Sequence, residues 1–176
     1  MDWSPVPEIR TARLVLDAPR LTDKAAVISY AGDLSVSRWL VRVPHPYTAA
    51  DADVFLGDIA PAHACFAVRE AAGGPLAGIV GISPVGADGG LLGYWFGPPF
   101  WGRGYATEAA AAVVAHAFGT LGLGRLQSGY LAGNVASCRV LEKLGFTVTG
   151  TSVKWNVALD AECEHIDMCL AAPFAP

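Results

Sequence analysis

The sequence predicts an α+β fold: a mixed, mainly antiparallel central sheet of about seven strands, flanked by about four helices. Three observations predict it. Apolar residues switch between a period of two and a helical period along the chain. Glycine-rich corners break residues 64–97 into short runs. A long alanine-rich segment follows a glycine-bearing loop in PPFWGRGYATEAA, residues 98–110.

Taken in order, ARLVLDA (12–18) alternates and reads as a strand. Residues 21–33 open with Thr22 as a candidate helix cap and place Ala25, Ile28 and Ala31 at helical spacing. Residues 43–60 begin with prolines, and Thr48 caps a helix carrying Ala49, Val54, Phe55 and Ile59. Strands at 64–71 and 76–85 are joined by the turn AGGP, and 91–97 follows GADGG, which makes an antiparallel meander. A helix runs from Tyr105 to about Leu121, with Ala106, Ala110, Val113, Ala117, Phe118 and Leu121 on its apolar face. Gly122 and Gly124 stop it. Next come a strand at 125–131, a short helix at 135–144 ended by Gly145, and two closing strands in FTVTGTSVKWNVALD and CEHIDMCLA. With no repeat, low-complexity run or linker in view, residues 1–176 read as one domain.

The composition bounds the partners. Apolar residues make up 53% of the chain and charged residues 16%, so a full core is affordable and disorder is not expected. The net charge of −4 and the lack of a Lys/Arg cluster argue against a nucleic-acid footprint. No run approaches the length of a membrane span. The start MDWSPVPEIRT carries proline and acid where a secretory leader is apolar, so a cytoplasmic protein is expected. Cys65, Cys138, Cys163 and Cys169 form no CxxC pair, and the four histidines are scattered. Reduced thiols and no metal are expected.

The loop before the long helix suggests a guest. The first N–H groups of a helix lack intrahelical partners, and the helix dipole makes that end positive. Gly102 and Gly104 bare the backbone, Ala106 is small, and Thr107 adds a hydroxyl, so an anion such as phosphate can approach. A tight turn before the helix explains the same glycines. The P-loop pattern is absent, and a dinucleotide fingerprint fails at Thr107.

Beyond this loop, four pieces occur in order: RTARLVLDAPRLTD, PHPYT at 44–48, LGYWFGPPFWGRGYATEAAAAVVAHAF, and NVASCRVLEKLGFTVTG at 134–150. Together they resemble the GNAT N-acyltransferase superfamily, a three-layer α/β fold, and in particular its ribosomal-protein N-terminal acetyltransferase (RimJ/RimL-like) branch. The resemblance implies that Trp101, Gly102, Arg103, Gly104, Tyr105, Ala106 and Thr107 hold the pyrophosphate of acetyl-CoA. Trp101 departs from the family's Gln or Arg, which touches only a side-chain contact. It also implies a sheet splayed between the fourth and fifth strands, with the pantetheine arm in the gap and Phe96 near the thioester. Acetyl transfer to a primary amine would then be direct, with no covalent enzyme intermediate.

The proton carriers follow from the same resemblance. Asn134 and Ser137 match its Asn-x-x-Ser, with Ser137 as donor to the leaving thiolate; both also suit a helix cap. Arg139 and Lys143 lie four apart and either reach the phosphates of CoA or form a solvated face. On the residues themselves, Glu164, His165, Asp167 and His45 are the candidates for general base, with Glu164 taken into the catalytic set; a water chain with no strong base is the alternative. His45, Tyr47, Tyr94 and Asp167 are expected to shape the acceptor pocket. Glu108 suits the helix dipole and should point away from a bound phosphate. The acceptor is a protein N-terminus or a small-molecule amine. Transfer of a longer acyl group such as succinyl, or acyl-CoA binding without turnover, are the competing readings. Relatives of this type are often homodimers, and five tryptophans in an apolar chain permit an interface.

Overall fold

The computed structural model describes residue 3 and residues 6–172. The start read at residues 1–11 lies partly outside the described residues. The chain begins with β1 (Ile9–Arg10) and β2 (Val15–Asp17), then α1 (Lys24–Ala31), α2 (Leu34–Ser37) and α3 (Ala49–Val54). The meander is β3 (Ala64–Arg69), β4 (Gly78–Val85) and β5 (Gly89–Phe96). α4 (Tyr105–Gly119), β6 (Arg125–Leu131), α5 (Val135–Lys143), β7 (Thr147–Asn156) and β8 (Ala161–Ala171) follow.

The strands form one sheet of eight in the order β1-β2-β3-β4-β5-β6-β8-β7. The strand beyond the expected seven is β1, whose two residues are too short to show alternation. The additional helix is α2, four residues capped by Asp33, whose side chain accepts from the Ser35 N–H at 2.8 Å. Thr22 is not a cap. A 3-10 turn, Leu21–Asp23, precedes α1, and the carboxylate of Asp23 accepts from the N–H of Arg20 at 2.9 Å. Thr48 does cap α3, in a reciprocal pair with Asp51. α3 runs on into a π-type turn, Phe55–Ile59.

Alternation sorts the side chains onto two faces. On one face Leu16, Phe66, Val80, Leu92 and Met168 pack with Val113 of α4 and Leu141 of α5. On the other face Ala67, Ile79 and Trp95 pack with Val27 of α1, Ala52 of α3 and Leu56. At the meander end Arg69 is almost wholly buried. Its guanidinium donates to Asp17 at 2.9 Å, to Asp23 at 2.7 and 2.8 Å, and to the Gly74 carbonyl at 3.0 Å. Arg20 also pairs with Asp17.

The pair that matters for a site is β5 and β6. They run parallel and share three residue pairs, from Gly89↔Arg125 to Leu91↔Gln127. β6 then continues against β8 while β5 continues against β4. A wedge therefore opens in the sheet beyond Leu91 and Gln127.

Candidate active site

The wedge ends at the loop before α4. Gly102 and Gly104 have φ of 74° and 77°. That left-handed conformation costs an L-residue with a Cβ about 1–2 kcal/mol. A Cβ at Gly102 would meet nothing within 4 Å. Backbone conformation therefore demands this glycine, and the space outside it stays open. α4 is capped by Gly104, with no side chain on its N–H groups, whereas Thr48 and Asn134 supply side-chain caps to α3 and α5. The N–H groups of Tyr105, Ala106 and Thr107 are left for another acceptor.

Charges around the loop brace it. Arg103 Nη1 donates to Glu70 Oε1 at 2.7 Å, and the Tyr105 hydroxyl donates to the same oxygen at 2.6 Å. From the N-terminal side, Arg13 donates to the Arg103 carbonyl at 2.9 Å and to Glu108 Oε2 at 2.7 Å. Glu108 also accepts from the Thr11 hydroxyl at 2.6 Å and from the Arg13 N–H at 3.0 Å. Its carboxyl therefore turns toward residues 11–13. Burial alone would raise its pKa; these donors more than offset that and hold it below the ordinary range. Trp101 takes a structural bond, its indole donating to the Phe96 carbonyl at 2.7 Å. Neither Arg13 nor Glu70 stands out in the sequence, because each meets the loop across a long stretch of chain.

Inside the wedge the backbone direction is fixed by pairing. The Gly97 N–H donates to the Ala77 carbonyl at 2.9 Å, so alternation turns the polar groups of Leu92, Tyr94 and Phe96 away from β4 and toward β6. The Ser128 hydroxyl meets the first of these, donating to the Leu92 carbonyl at 3.0 Å. Farther along, the Phe96 N–H lies outside the β5–β6 ladder, at the mouth of the loop.

α5 faces this wedge. Asn134 Oδ1 accepts from the Ser137 N–H at 3.1 Å, the expected cap. Tyr94, expected in the acceptor pocket, reaches α5 with its hydroxyl. Its hydroxyl lies 2.9 Å from Ser137 Oγ and 3.2 Å from the Ser137 carbonyl, to which it can donate. Burial pushes the Tyr94 phenol up to about 12, with the Ser137 contact acting the other way. Arg139 and Lys143 of α5 are solvent-exposed.

The remaining candidates divide between the faces. Tyr47 packs on the α1–α3 side, where burial and then Asp51 push its phenol up to about 12. His45 Nδ1 lies 3.0 Å from the Gly32 carbonyl on that side. Alternation on β8 sends His165 and Asp167 to this face and exposed Glu164 to the other. His165 Nδ1 and Asp167 Oδ1 are 2.9 Å apart. The four cysteines are free thiols. His116 of α4 packs edge-on against Phe66 at 5.7 Å, and burial lowers its pKa.

This arrangement matches known proteins. Residues 13–147, more than half of the chain, match the family model of the acetyltransferase (GNAT) domain. Among curated relatives, the uncharacterized protein YkkB of Bacillus subtilis is 42% identical over 65 residues, 37% of this chain and 38% of that one. The probable N-acetyltransferase YjcK of the same organism is 39% identical over 74 residues, 42% of this chain and 40% of that one. The matches thus span about two fifths of those relatives. A GNAT-family acetyltransferase from Bacillus anthracis superposes with a TM-score of 0.83 at 24% identity, over 94% of this chain and 99% of that one. The spermidine N-acetyltransferase of Vibrio cholerae, solved with CoA and spermine, gives 0.79 at 17% identity, over 92% and 97%. RimJ of Mycobacterium smegmatis, solved with CoA-disulfide, gives 0.76 at 20% identity, over 90% and 82%. An open eight-stranded sheet, a bare helix start at its wedge and a family match over residues 13–147, which include both sides of that wedge, lead to one conclusion: the chain belongs to the GNAT acetyltransferase family.

Proposed function

We propose that the protein, as one domain, transfers the acetyl group of acetyl-CoA directly to a primary amine. The observation that carries this reading is the uncapped start of α4, set at the open end of the β5–β6 wedge. The loop fits a pyrophosphate. The N–H groups of residues 105–107 are unspent, Gly102 faces open space, and the acids nearby are already paired, Glu70 with Arg103 and Glu108 with Arg13. Trp101 contributes by holding the Phe96 carbonyl, which keeps the end of β5 in place.

Acetyl-CoA supplies the activated thioester; the residues of this chain do the rest. The Leu92–Phe96 edge pairs the extended arm as a strand would. The Phe96 N–H polarises the carbonyl to be attacked. Ser137, held by Asn134 and the hydroxyl of Tyr94, donates to the departing sulfur. The support is shared geometry: both hydroxyls sit on the wedge. Arg139 and Lys143 reach terminal phosphates from α5. The acceptor enters from the α1–α3 side past His45 and Tyr47, and is a protein N-terminus or a small-molecule amine. The RimJ/RimL-like branch, a cytoplasmic location and a homodimer belong to the same reading.

Calorimetric titration of acetyl-CoA into the apo protein tests it. Micromolar binding is expected, weakened at least a hundredfold in Gly104→Val, which cannot hold the left-handed cap. Thiol release with a panel of N-terminal peptides and polyamines then identifies the acceptor. Initial-rate lines should intersect, as direct transfer requires. Absence of binding to the wild type refutes the reading.

A further inference from the structure

We infer that His165 takes the proton of the incoming amine and that Asp167 fixes the tautomer which lets it do so. The inference rests on the acetyl-transfer reading of the wedge and assigns the base for that site.

Three features carry it. The first is orientation. Burial tends to raise the Asp167 pKa, but the His165 contact and the nearby charge of Lys154 pull it below the ordinary carboxylate range. An ionised carboxylate only accepts hydrogen bonds, so the 2.9 Å contact requires a proton on His165 Nδ1. In the neutral ring Nε2 then carries the lone pair.

The second feature is placement. A Cβ at Gly129 of β6 would lie 2.3 Å from His165 Cε1 and 2.9 Å from Nε2. The ring thus lies across Gly129, and any side chain there would displace it. Gly129 is in β6, one wall of the wedge. Counting on from the Gly89↔Arg125 register brings it level with Gly93 of β5, where an added Cβ would meet nothing within 4 Å. The missing side chain at Gly129 thus makes room for the ring, and the facing position on β5, Gly93, carries no side chain to fill the opening.

The third feature is side. His165 shares its face with Trp95 and the α1–α3 layer, opposite α5 and the Tyr94–Ser137 pair. Base and acid thus stand on opposite faces of one opening, as an amine attacking from one side and a thiolate leaving from the other would need. Glu164 points to the α5 side and is exposed, so it lacks this position.

The step balances. The ammonium gives a proton to Nε2, and the free amine attacks the thioester carbon. The C–N bond forms and the C–S bond breaks. The second amine proton goes to the sulfur by way of Ser137, yielding amide and free thiol. His165 then releases its proton to water.

The test compares wild type, His165→Gln and Asp167→Asn. Single-turnover transfer should fall about a hundredfold or more in His165→Gln, in the range for loss of a positioned base. Acetyl-CoA affinity by calorimetry should stay within about threefold, and added imidazole should restore part of the rate. Nitrogen NMR should show the Nδ1–H tautomer of His165 in the wild type, and its loss in Asp167→Asn. A wild type that turns over while His165→Gln keeps its rate overturns this inference alone, as does a larger loss in Glu164→Gln than in His165→Gln. A wild type that binds no acetyl-CoA overturns the acetyl-transfer reading, and the role of His165 with it.

Discussion

Arg69 and Glu70 are neighbours at the end of the meander, yet they anchor two different charge networks. The side chain of Arg69 is 2% exposed and is matched by Asp17 and Asp23, 10% and 6% exposed. Glu70 is 44% exposed and pairs with Arg103, 50% exposed, at the loop before α4. The same chemical pair thus serves two ends. Buried, it fixes β2, β3 and the start of α1 in one arrangement, and losing a partner strands a charge away from water. Exposed, it shapes the loop at little cost, and its arginine can exchange a carboxylate for a phosphate.

The largest effect is expected from breaking the buried network. Arg69→Met leaves buried Asp23 without its bonded cation and Asp17 with Arg20 alone, and should cost about 3–5 kcal/mol, read from urea unfolding. Thermal unfolding should drop by about 10 °C or more. Acid sharpens the same point. Burial tends to raise the Asp23 pKa, but the bonds from Arg69 and the Arg20 N–H prevail and lower it. Its stabilisation is therefore fully present above the unfolded value, near 3.9 for an ordinary aspartate, and is lost as pH falls through the lower folded value. Asp23→Asn should flatten that acid limb in unfolding measured against pH.

Between the extremes stands Glu108, only 18% exposed and bonded to both Thr11 and Arg13. Glu108→Gln should cost about 1–2 kcal/mol by chemical denaturation. It should also weaken acetyl-CoA binding about threefold by loosening the Arg13 hold on the Arg103 carbonyl. The smallest effect belongs to Glu70→Gln, which should change stability by less than about 1 kcal/mol. Removing its negative charge should tighten acetyl-CoA binding modestly, and more so at low salt.

Much of this was legible in the sequence, where the signal was local. The glycine loop, α4, the Thr48 cap and the Asn134–Ser137 cap all sit within a few residues, and all formed as read. Alternation alone placed His165 and Asp167 on one face of β8. What stayed hidden depends on distant pairing. Arg69 meets Asp17 across 52 residues, and Tyr94 meets Ser137 across 43. No periodicity announces either, because the partners are brought together by sheet order. Thr22 failed as a cap for a local reason: the neighbouring Asp23 carboxylate took the Arg20 N–H and started the helix later.

The three-pair seam between β5 and β6 gives one strand two different clocks. Trp95 belongs to the ladder with β4, while the amides of Tyr94 and Phe96 look into the wedge. Along β5, then, protection against deuterium should rise and fall from one residue to the next. An acyl donor lying in the wedge would even out that alternation, and the strand would come to exchange as an interior one does.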